Sequence, residues 1–323
     1  MKDKVLILTN SLDGEHTDSV INALKRKGSK YFRCDTDKIS SGEVRINLFA
    51  KPSSFGFSIH SDAGVLESED IYSVWYRRPN EFNLQIEDPA QKEFTHTEIS
   101  AFLNGLWLSI SDAYWLSNPH SIEKARRKIL QLKLAKTLGF RIPDTIVTND
   151  PNEVKRFFLE HGERIIFKTM HQEFISISDK KFNIPTTLIN AGHMDKIGLV
   201  SKLPSLFQEY VEKSYELRVT IVKDKVFTAK IYSQDNPLSI VDWRNPLTID
   251  KLKYESVELP MDIMSLCFSM MESLGLVFGA FDFMVDKSGK MFFLEINPNG
   301  QWYWLEHFCG FEISSAISEA LTT

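Results

Sequence analysis

Two apolar segments near the C-terminal end of the chain read FDFMV at residues 281–285 and FFLEINPN at residues 292–299. The short segment between them contains a glycine, which favours a tight turn and predicts an antiparallel hairpin. In that pairing Asp282 lies close to Glu295 and Asn297, and the last two share one face because side chains alternate along a strand. Carboxylates in such apolar surroundings need a compensating cation. Oxygen ligands of this kind suit Mg²⁺, so the hairpin predicts a magnesium site.

Two lysines upstream stand where they can contact phosphate. Lys168 follows an apolar strand predicted over residues 164–167, and a lysine that ends a strand projects from a rigid element. Lys128 lies in a helix that is predicted to follow Asn118-Pro119 and to continue to Leu138, before Gly139. Taken alone, either lysine is also typical of a solvated surface.

The segment between these lysines and the hairpin contains further polar groups on predicted strands. Gln208-Glu209-Tyr210-Val211 completes a strand predicted over residues 205–211, and its main chain can face the edge of a purine. Glu216 and Arg218 are two residues apart, so they share a strand face. Asp242 and Arg244 follow in a loop.

Composition excludes several classes of protein. The 323 residues include 38 Lys and Arg against 43 Asp and Glu, a formal net charge of −5, which excludes binding of nucleic acid or anionic membrane through bulk charge. The apolar runs are shorter than the roughly 18 residues that span a bilayer. The three cysteines are far apart and form no metal-binding spacing. We therefore expect a cytoplasmic protein with neither a nucleic-acid nor a membrane partner.

The order of predicted elements indicates three units. Strands and helices alternate over the first hundred residues, which is typical of a parallel sheet. Asn118-Pro119 marks a first boundary, and a polar stretch with little periodicity covers residues 169–198. The remainder is rich in strands. The predicted domains are residues 1–117, 118–204 and 205–323.

In their order and spacing these residues resemble the ATP-grasp fold of carboxylate–amine ligases. VLILT at residues 5–9, RCDTD at 33–37, WYRRP at 75–79 and DWR at 242–244 are similar to the branch that matures microviridins and other graspetides. The resemblance covers essentially the whole chain. It implies an α/β protein with an N-terminal parallel-sheet α/β domain, a small central α+β domain and a C-terminal antiparallel-sheet domain. ATP is then expected between the last two domains.

The resemblance also implies a role for each residue of the motifs. Lys128 and Lys168 would contact the phosphates of ATP, and Arg218 and Arg244 would stabilise the transferred phosphate or the substrate carboxylate. Glu209 and Val211, with Tyr210 between them, would contact adenine through main-chain groups, and Glu216 would accept hydrogen bonds from the ribose hydroxyls. Asp282, Glu295 and Asn297 would ligate Mg²⁺.

The chain departs from the family pattern at one place. Many ATP-grasp enzymes cover the phosphates with a glycine-rich loop, whereas residues 169–191 contain no glycine. The polar residues available there instead are His171, Ser176, Ser178, Thr186 and Thr187.

The activity implied is ATP-dependent, ADP-forming ligation of side-chain carboxylates to Ser or Thr hydroxyls, or to Lys amines, within one ribosomally made precursor peptide. Its implied partner is a precursor peptide with a leader and an acidic core, and a homodimer is compatible with it. Two alternatives are a ligase that adds a free amino acid to a protein or small-molecule acid, and a non-catalytic ATP-binding scaffold. Asp242 and a phosphate oxygen are both candidates for the proton acceptor.

Each of two motifs allows two interpretations. Arg77 and Arg78 suit the carboxylates of an acidic peptide, and they equally suit ion pairs at the end of a strand. The aromatic run Trp302-Tyr303-Trp304 fits the lining of a peptide channel, and it also fits core packing.

Overall fold

The computed structural model of the protein describes residues 2–79, 82, 84–171, 174–177 and 180–323, with only the backbone for residues 174–177 and 180–183. These residues form helices and strands in alternation at first and mostly strands later. The helices are α1 (Gly14–Arg26), α2 (Pro89–Ser109), α3 (Pro119–Ala125), α4 (Lys128–Leu138), α5 (Pro151–Glu160), α6 (Met261–Leu274), α7 (Tyr303–Cys309) and α8 (Ile313–Thr322). The strands are β1 (Lys4–Thr9), β2 (Lys30–Asp35), β3 (Arg45–Lys51), β4 (Ser54–Ser61), β5 (Gly64–Glu67), β6 (Ile71–Tyr76), β7 (Tyr114–Leu116), β8 (Thr145–Thr148), β9 (Ile165–Lys168), β10 (Phe174–Ile177), β11 (Lys180–Asn183), β12 (Thr187–Ile189), β13 (Ser205–Glu209), β14 (Lys213–Val222), β15 (Lys225–Ile231), β16 (Tyr254–Ser256), β17 (Phe278–Asp286) and β18 (Met291–Asn297).

The first sheet is parallel, as the alternation of strands and helices predicts. Its strand order is β2-β1-β6-β7, and every neighbouring pair runs parallel. One face packs against α1 and the C-terminal helix α8, and the Ser73 hydroxyl donates to the Leu321 carbonyl at 2.7 Å. The other face packs against α2 and an antiparallel sheet, β3-β4-β5. The final helix therefore returns to the sheet that begins the chain.

A second sheet, β12-β9-β13-β8, is antiparallel throughout and covers α5 on one side. The strand β13 lies beyond the predicted limit at residue 204, yet it pairs with β8 and β9. The stretch of little sequence periodicity over residues 169–198 contains regular elements. The chain there forms the antiparallel hairpin β10–β11, the strand β12 and a 3₁₀ helix (Ala191–Lys202). The domain limits themselves stay a prediction.

The third sheet has the order β16-β15-β14-β17-β18 and is also antiparallel. Helices α4 and α6 pack on its apolar face around a core that includes Phe281, Phe283 and Phe293. Its other face carries the polar residues of the predicted site. The predicted strand over residues 205–211 is two residues too long, because β13 ends at Glu209. Among the described residues, no helix is both long and apolar enough to cross a membrane.

Candidate active site

The hairpin β17–β18 forms as predicted and brings the three oxygen-bearing side chains together. Asp282 lies directly opposite Glu295, and Ala280 lies opposite Asn297. All three polar side chains therefore lie near the end of the hairpin that is far from its turn. The side-chain Oδ1 of Asn297 accepts a hydrogen bond from the amide of Asn299 at 3.1 Å. This contact fixes the turn that follows the strand, since Asn side chains commonly stabilise such turns.

Glu295 is the centre of the site because it contacts two cationic side chains. Its Oε2 lies 3.2 Å from Lys128 Nζ, and its Oε1 lies 3.3 Å from a terminal nitrogen of Arg244. Burial alone would raise the pKa of Glu295, but Lys128, Arg244 and Lys168 outweigh burial and lower it to about 2. Glu295 is therefore ionised at any physiological pH.

Lys128 follows a break between two helices, which the sequence did not predict. The expected single helix ending at Leu138 is wrong, because α3 ends at Ala125 and α4 begins at Lys128. The predicted start is confirmed, since Asn118 caps α3 by accepting from the His120 amide at 2.9 Å. At the break, Lys128 Nζ also donates to the Thr169 carbonyl at 3.0 Å. The helix α4 thus places Lys128 at its first residue, beside β9.

The side chain of Gln131 makes contacts at the break and was missed by sequence reasoning. Its amide nitrogen donates to the carbonyls of Ala125 at 2.6 Å and of Ile296 at 2.9 Å, while its oxygen accepts from the Ile296 amide at 3.0 Å. Gln131 thereby supplies a hydrogen-bond donor to the Ala125 carbonyl at the end of α3. It also forms two hydrogen bonds with the main chain of Ile296, as a residue of a neighbouring strand would. A buried glutamine in an otherwise apolar helix face is the only signal that the sequence offers.

Lys168 ends β9 and points its positive charge into the same cluster. Burial lowers its pKa to about 8, with Lys128, Arg244 and Lys213 adding to the shift and Glu295 opposing it. Among the described residues, no carboxylate lies within ion-pair distance of Lys168. The site therefore holds positive charge that its own carboxylates leave incompletely neutralised, which favours an anionic ligand.

Asp282 is paired on one side with Arg218, its neighbour across β14 and β17. One guanidinium nitrogen lies 3.2 Å from Asp282 Oδ2, whereas Asp282 Oδ1 and Arg218 Nε are buried with no partner among the described residues. Burial raises the pKa of Asp282 to about 6, although Arg218 acts in the opposite direction. A buried carboxylate oxygen without a partner is costly and is a suitable ligand for a cation.

Arg244 is held in place by Asp242. Its Nε and a terminal nitrogen lie 3.0 and 3.2 Å from the two carboxylate oxygens, a bidentate arrangement that fixes the plane of the guanidinium. Although burial opposes it, the charge and hydrogen bonds of Arg244 lower the pKa of Asp242 to about 2. The amide of Thr186 also donates to Asp242 at 3.4 Å. The segment without glycine thus meets the site through Thr186, while the side chains of Ser176 and Ser178 lie outside the described residues.

The predicted adenine segment lies beside the cluster without contacting it. Glu209 ends β13 with its amide donating to the Asp144 carbonyl at 2.9 Å, and the Arg164 guanidinium lies 4.3 Å from the centre of the Tyr210 ring. Among the described residues, none accepts a hydrogen bond from the amides of Tyr210 and Val211. Main-chain donors that lack a protein partner are available to a ligand.

The predicted ribose residue Glu216 is buried and forms an ion pair with Lys213. Lys213 Nζ also donates to the Val241 carbonyl at 3.0 Å. Burial raises the pKa of Glu216, and Lys213 counteracts this rise. Sequence reasoning missed Lys213, which joins the adenine segment to the charged cluster. The site thus consists of a cationic cluster around β17–β18 and an adjacent main-chain edge.

Comparison with known proteins agrees with this fold. Residues 4–123 match the family described as the MvdD pre-ATP grasp domain. The macrocyclase MdnC of Microcystis aeruginosa MRC, solved with its precursor peptide MdnA, is 32% identical over 98% of this chain and 99% of its own, with a TM-score of 0.88. The macrocyclase MdnB of the same organism is 31% identical over 99% of both chains, with a TM-score of 0.84.

A third structure is similar over almost the whole chain. The RiPP-associated ATP-grasp ligase of Chryseobacterium gregarium, solved with ADP and a leader and core peptide, has a TM-score of 0.91 at 29% identity, covering 99% of this chain and 96% of its own. Comparison with curated protein sequences gives no match. The chain belongs to the ATP-grasp ligases, in the graspetide-type branch that includes MdnB and MdnC.

Proposed function

We propose that the protein uses ATP to activate side-chain carboxylates of a ribosomally made precursor peptide and joins them to hydroxyls or amines of the same peptide. The observation that supports this most directly is the cationic cluster of Lys128, Lys168, Arg218 and Arg244 around Glu295 and Asp282. A reaction between two anions, a carboxylate and a nucleotide phosphate, needs such a cluster. The similar ligases solved with precursor, leader or core peptides support the choice of substrate.

The nucleotide is assigned to the space between the second and third sheets. Lys128 and Lys168 approach this space from α4 and β9, and we assign them to the phosphates. The amide and carbonyl groups of the Glu209–Val211 segment are assigned to adenine, and Glu216 to the ribose hydroxyls. Lys213 holds the Glu216 carboxylate in position.

Asp282, Glu295 and Asn297 are the residues that we assign to Mg²⁺. The buried Asp282 Oδ1, which lacks a partner among the described residues, is the observation that fits a cation. Glu295 adds a carboxylate that stays ionised, and Asn297 adds an amide oxygen. When bound, Mg²⁺ neutralises the negative charge that accumulates on the phosphates.

The first chemical step forms an acyl phosphate. An oxygen of the peptide carboxylate bonds to the γ-phosphorus, and the bond from that phosphorus to the bridging oxygen breaks, so ADP leaves. Arg218 and Arg244 are placed to hold the carboxylate and the transferring phosphoryl group, because their guanidiniums present several donors to anionic oxygens. Arg244 is the better oriented of the two, since Asp242 fixes its plane.

The second step transfers the acyl group. A peptide hydroxyl or amine attacks the activated carbonyl, the carbon–oxygen bond to phosphate breaks, and inorganic phosphate leaves. The attacking group must lose a proton. Asp242 is a weak base with its pKa near 2, so we assign the proton to an oxygen of the departing phosphate.

The function is tested by incubating the protein with its precursor peptide and Mg-ATP and weighing the product. Each new ester or amide bond should remove one water, a loss of about 18 Da, and should convert one ATP to ADP and phosphate. Hydroxylamine should intercept part of the activated carboxylate as a hydroxamate. Mild base should then hydrolyse esters much faster than amides.

Four other outcomes would contradict the proposal. A gain in mass that matches a free amino acid would indicate the free-amino-acid ligase. A gain of about 80 Da would indicate simple phosphorylation. Nucleotide binding with neither ADP formation nor product would indicate a scaffold, and AMP as the nucleotide product would exclude the acyl-phosphate route.

A further inference from the structure

A cavity of about 460 Å³ opens beside the candidate active site, between the loop that precedes α1 and the helix α7. None of the roles assigned above uses it. Its lining combines three acidic side chains with three aromatic ones: Asp13, Glu15, Asp250, Tyr303, Trp304 and Phe308. The run Trp302-Tyr303-Trp304 is thus divided, since Trp302 is fully buried while the next two residues face the cavity.

The charges of the cavity are unbalanced. Asp13 forms a buried ion pair with Arg77, whose Nε lies 3.1 Å from its carboxylate. Among the described residues, no basic side chain forms an ion pair with Glu15 or Asp250, and both are exposed to the cavity and solvent. His16 also lines the cavity, but burial and the charges of Arg77 and Arg78 lower its pKa to about 2, so it is neutral. The cavity therefore carries net negative charge.

The aromatic side of the cavity is fixed before any ligand arrives. The Trp304 ring packs against the Trp243 ring with centroids 5.3 Å apart and against the Tyr254 ring at 5.0 Å, and Phe308 stacks on Tyr254. An aromatic face held next to carboxylates is the arrangement that binds a cation through both charge and the ring.

The cavity lies one aromatic layer away from the charged cluster. The Arg218 guanidinium is 5.7 Å from the centre of the Trp243 ring, and the Trp304 ring that lines the cavity packs on that same ring. The Arg218 guanidinium and the Trp304 ring are thus at most about 11 Å apart, with the buried Trp243 ring between them. An extended peptide spans this distance in about three or four residues, so a peptide with its carboxylate at Arg218 that passes around the Trp243 ring can place a nearby side chain in the cavity.

We propose that this cavity binds a cationic side chain of the substrate peptide, an arginine or a lysine within about four residues of the carboxylate that becomes activated. Arginine suits the cavity better, because its planar guanidinium stacks on an aromatic face while donating to carboxylates. The inference rests on the proposed function, and it adds a sequence requirement. Acidic residues of the peptide would be activated only where a cationic residue stands close by.

The test compares two synthetic peptides on the full chain with Mg-ADP present. The first is acetyl-Glu-Gly-Gly-Arg-amide, and the second replaces arginine by citrulline, which has the same shape without the charge. Dissociation constants are measured by saturation-transfer NMR. We expect the arginine peptide to bind several-fold more tightly at low ionic strength, and the preference to shrink in high salt.

Matched variants locate the effect. The double variant Glu15→Gln and Asp250→Asn changes exposed side chains only and should abolish the preference for arginine. Asp224→Asn also removes a negative charge, from the turn between β14 and β15, and should leave the preference for arginine unchanged. Equal binding of the two peptides, or a preference that survives in the double variant, would overturn the inference.

The outcome also separates this inference from the function on which it rests. If the precursor is cyclised with loss of water but the preference for arginine is absent, only the cavity assignment fails. If the preference is present but the precursor yields no ADP, the cavity assignment stands and the ligase function fails.

Discussion

Asp282 and Glu295 lie directly opposite each other on β17 and β18, yet their carboxyl groups have pKa values on opposite sides of the ordinary range. The pKa of Asp282 is raised to about 6, and that of Glu295 is lowered to about 2. Burial raises the pKa of both carboxyl groups, but at Glu295 the contacts with Lys128 and Arg244 outweigh it. At Asp282 the charge of Arg218 does not outweigh burial, and the negative charge of Glu295 adds to the rise. The hairpin thus places the ionised carboxylate of Glu295 beside Asp282, whose Oδ1 has no partner among the described residues.

The first prediction concerns this ionised carboxylate. Replacing Glu295 by Gln should nearly abolish turnover, because the change removes an anionic ligand and leaves Lys128 and Arg244 without their shared partner. The loss should correspond to several kcal/mol of transition-state stabilisation. Steady-state ADP release measures it, and circular dichroism checks that β18 still folds. Glu258→Gln, an exposed change, serves as the control, and wild-type turnover in Glu295→Gln would remove this residue from the site.

The second prediction uses two neighbouring basic residues that the helix break separates. Lys128 contacts Glu295 and the Thr169 carbonyl, whereas Arg126 forms an exposed ion pair with Glu123. Lys128→Ala should reduce kcat/KM for ATP at least tenfold, and Arg126→Ala should change it little, because exposed ion pairs contribute less than about 1 kcal/mol. If the two variants behave alike, the assignment of Lys128 to phosphate is wrong.

The third prediction is a pH dependence. Lys168 has a pKa near 8 in the free protein, so it loses its positive charge as the pH rises through this value. Its attraction for phosphate then falls, and the KM for ATP should increase above about pH 8. In Lys168→Arg the guanidinium stays charged, so this increase should disappear even if kcat is lower. A KM that is constant between pH 7 and 9 in the wild-type protein would contradict the prediction.

The fourth prediction tests the turn after Asn297. A Cβ added at Gly300 would lie 2.5 Å from the Cβ of Ala280, which pairs with Asn297 across the hairpin. Gly300→Ala should therefore displace the turn, lower the stability and weaken Mg²⁺-dependent nucleotide binding. Titration with a fluorescent ADP analogue at several Mg²⁺ concentrations measures the effect. In the control Gly105→Ala, the new methyl group meets no atom within 4 Å in α2, and a gain of about 0.5–1 kcal/mol in stability is expected.

The fifth prediction concerns Arg77. The structure shows it in a buried ion pair and not exposed where it could bind a peptide. It is 1% exposed, forms an ion pair with Asp13 and donates to the carbonyls of Asn299 at 3.1 Å and Gly300 at 3.3 Å. Arg77→Ala leaves Asp13 buried and unpaired, which should cost about 3–5 kcal/mol of unfolding free energy. Urea unfolding measures it.

A matched surface change provides the control for this measurement. Arg156 lies on α5 and pairs only with exposed carboxylates of its own helix. Arg156→Ala should cost less than about 1 kcal/mol. Similar losses for the two variants would contradict the structural role of Arg77.

The sequence predicted those parts of the site that follow from the alternation of side chains along strands. The hairpin and the shared face of Glu295 and Asn297 need only the turn and the period of two, whereas the direct opposition of Asp282 and Glu295 also needs a β-bulge between Asp282 and Phe283 that shifts the register. The break before Lys128 was not predictable in this way, and the contacts found there join Gln131 to Ile296, which is 165 residues away in the chain. The cavity beside α7 was missed because it is formed by contacts between distant segments, whereas the Lys213–Glu216 ion pair lies within β14 and was overlooked.

The contacts of Arg77 and Arg78 with the Asn299 carbonyl have a consequence for motion. They join the first sheet to the turn that follows β18, and we expect these two parts to move together. Among the described residues, the polar contacts that join the second sheet to these parts include the Lys128–Thr169 and Thr186–Asp242 hydrogen bonds. We therefore expect the admission of nucleotide to be a hinge movement of β8, β9, β12 and β13, with the pivot in the short segment between β13 and β14. The peptide side of the site would then keep its shape while the nucleotide side opens and closes.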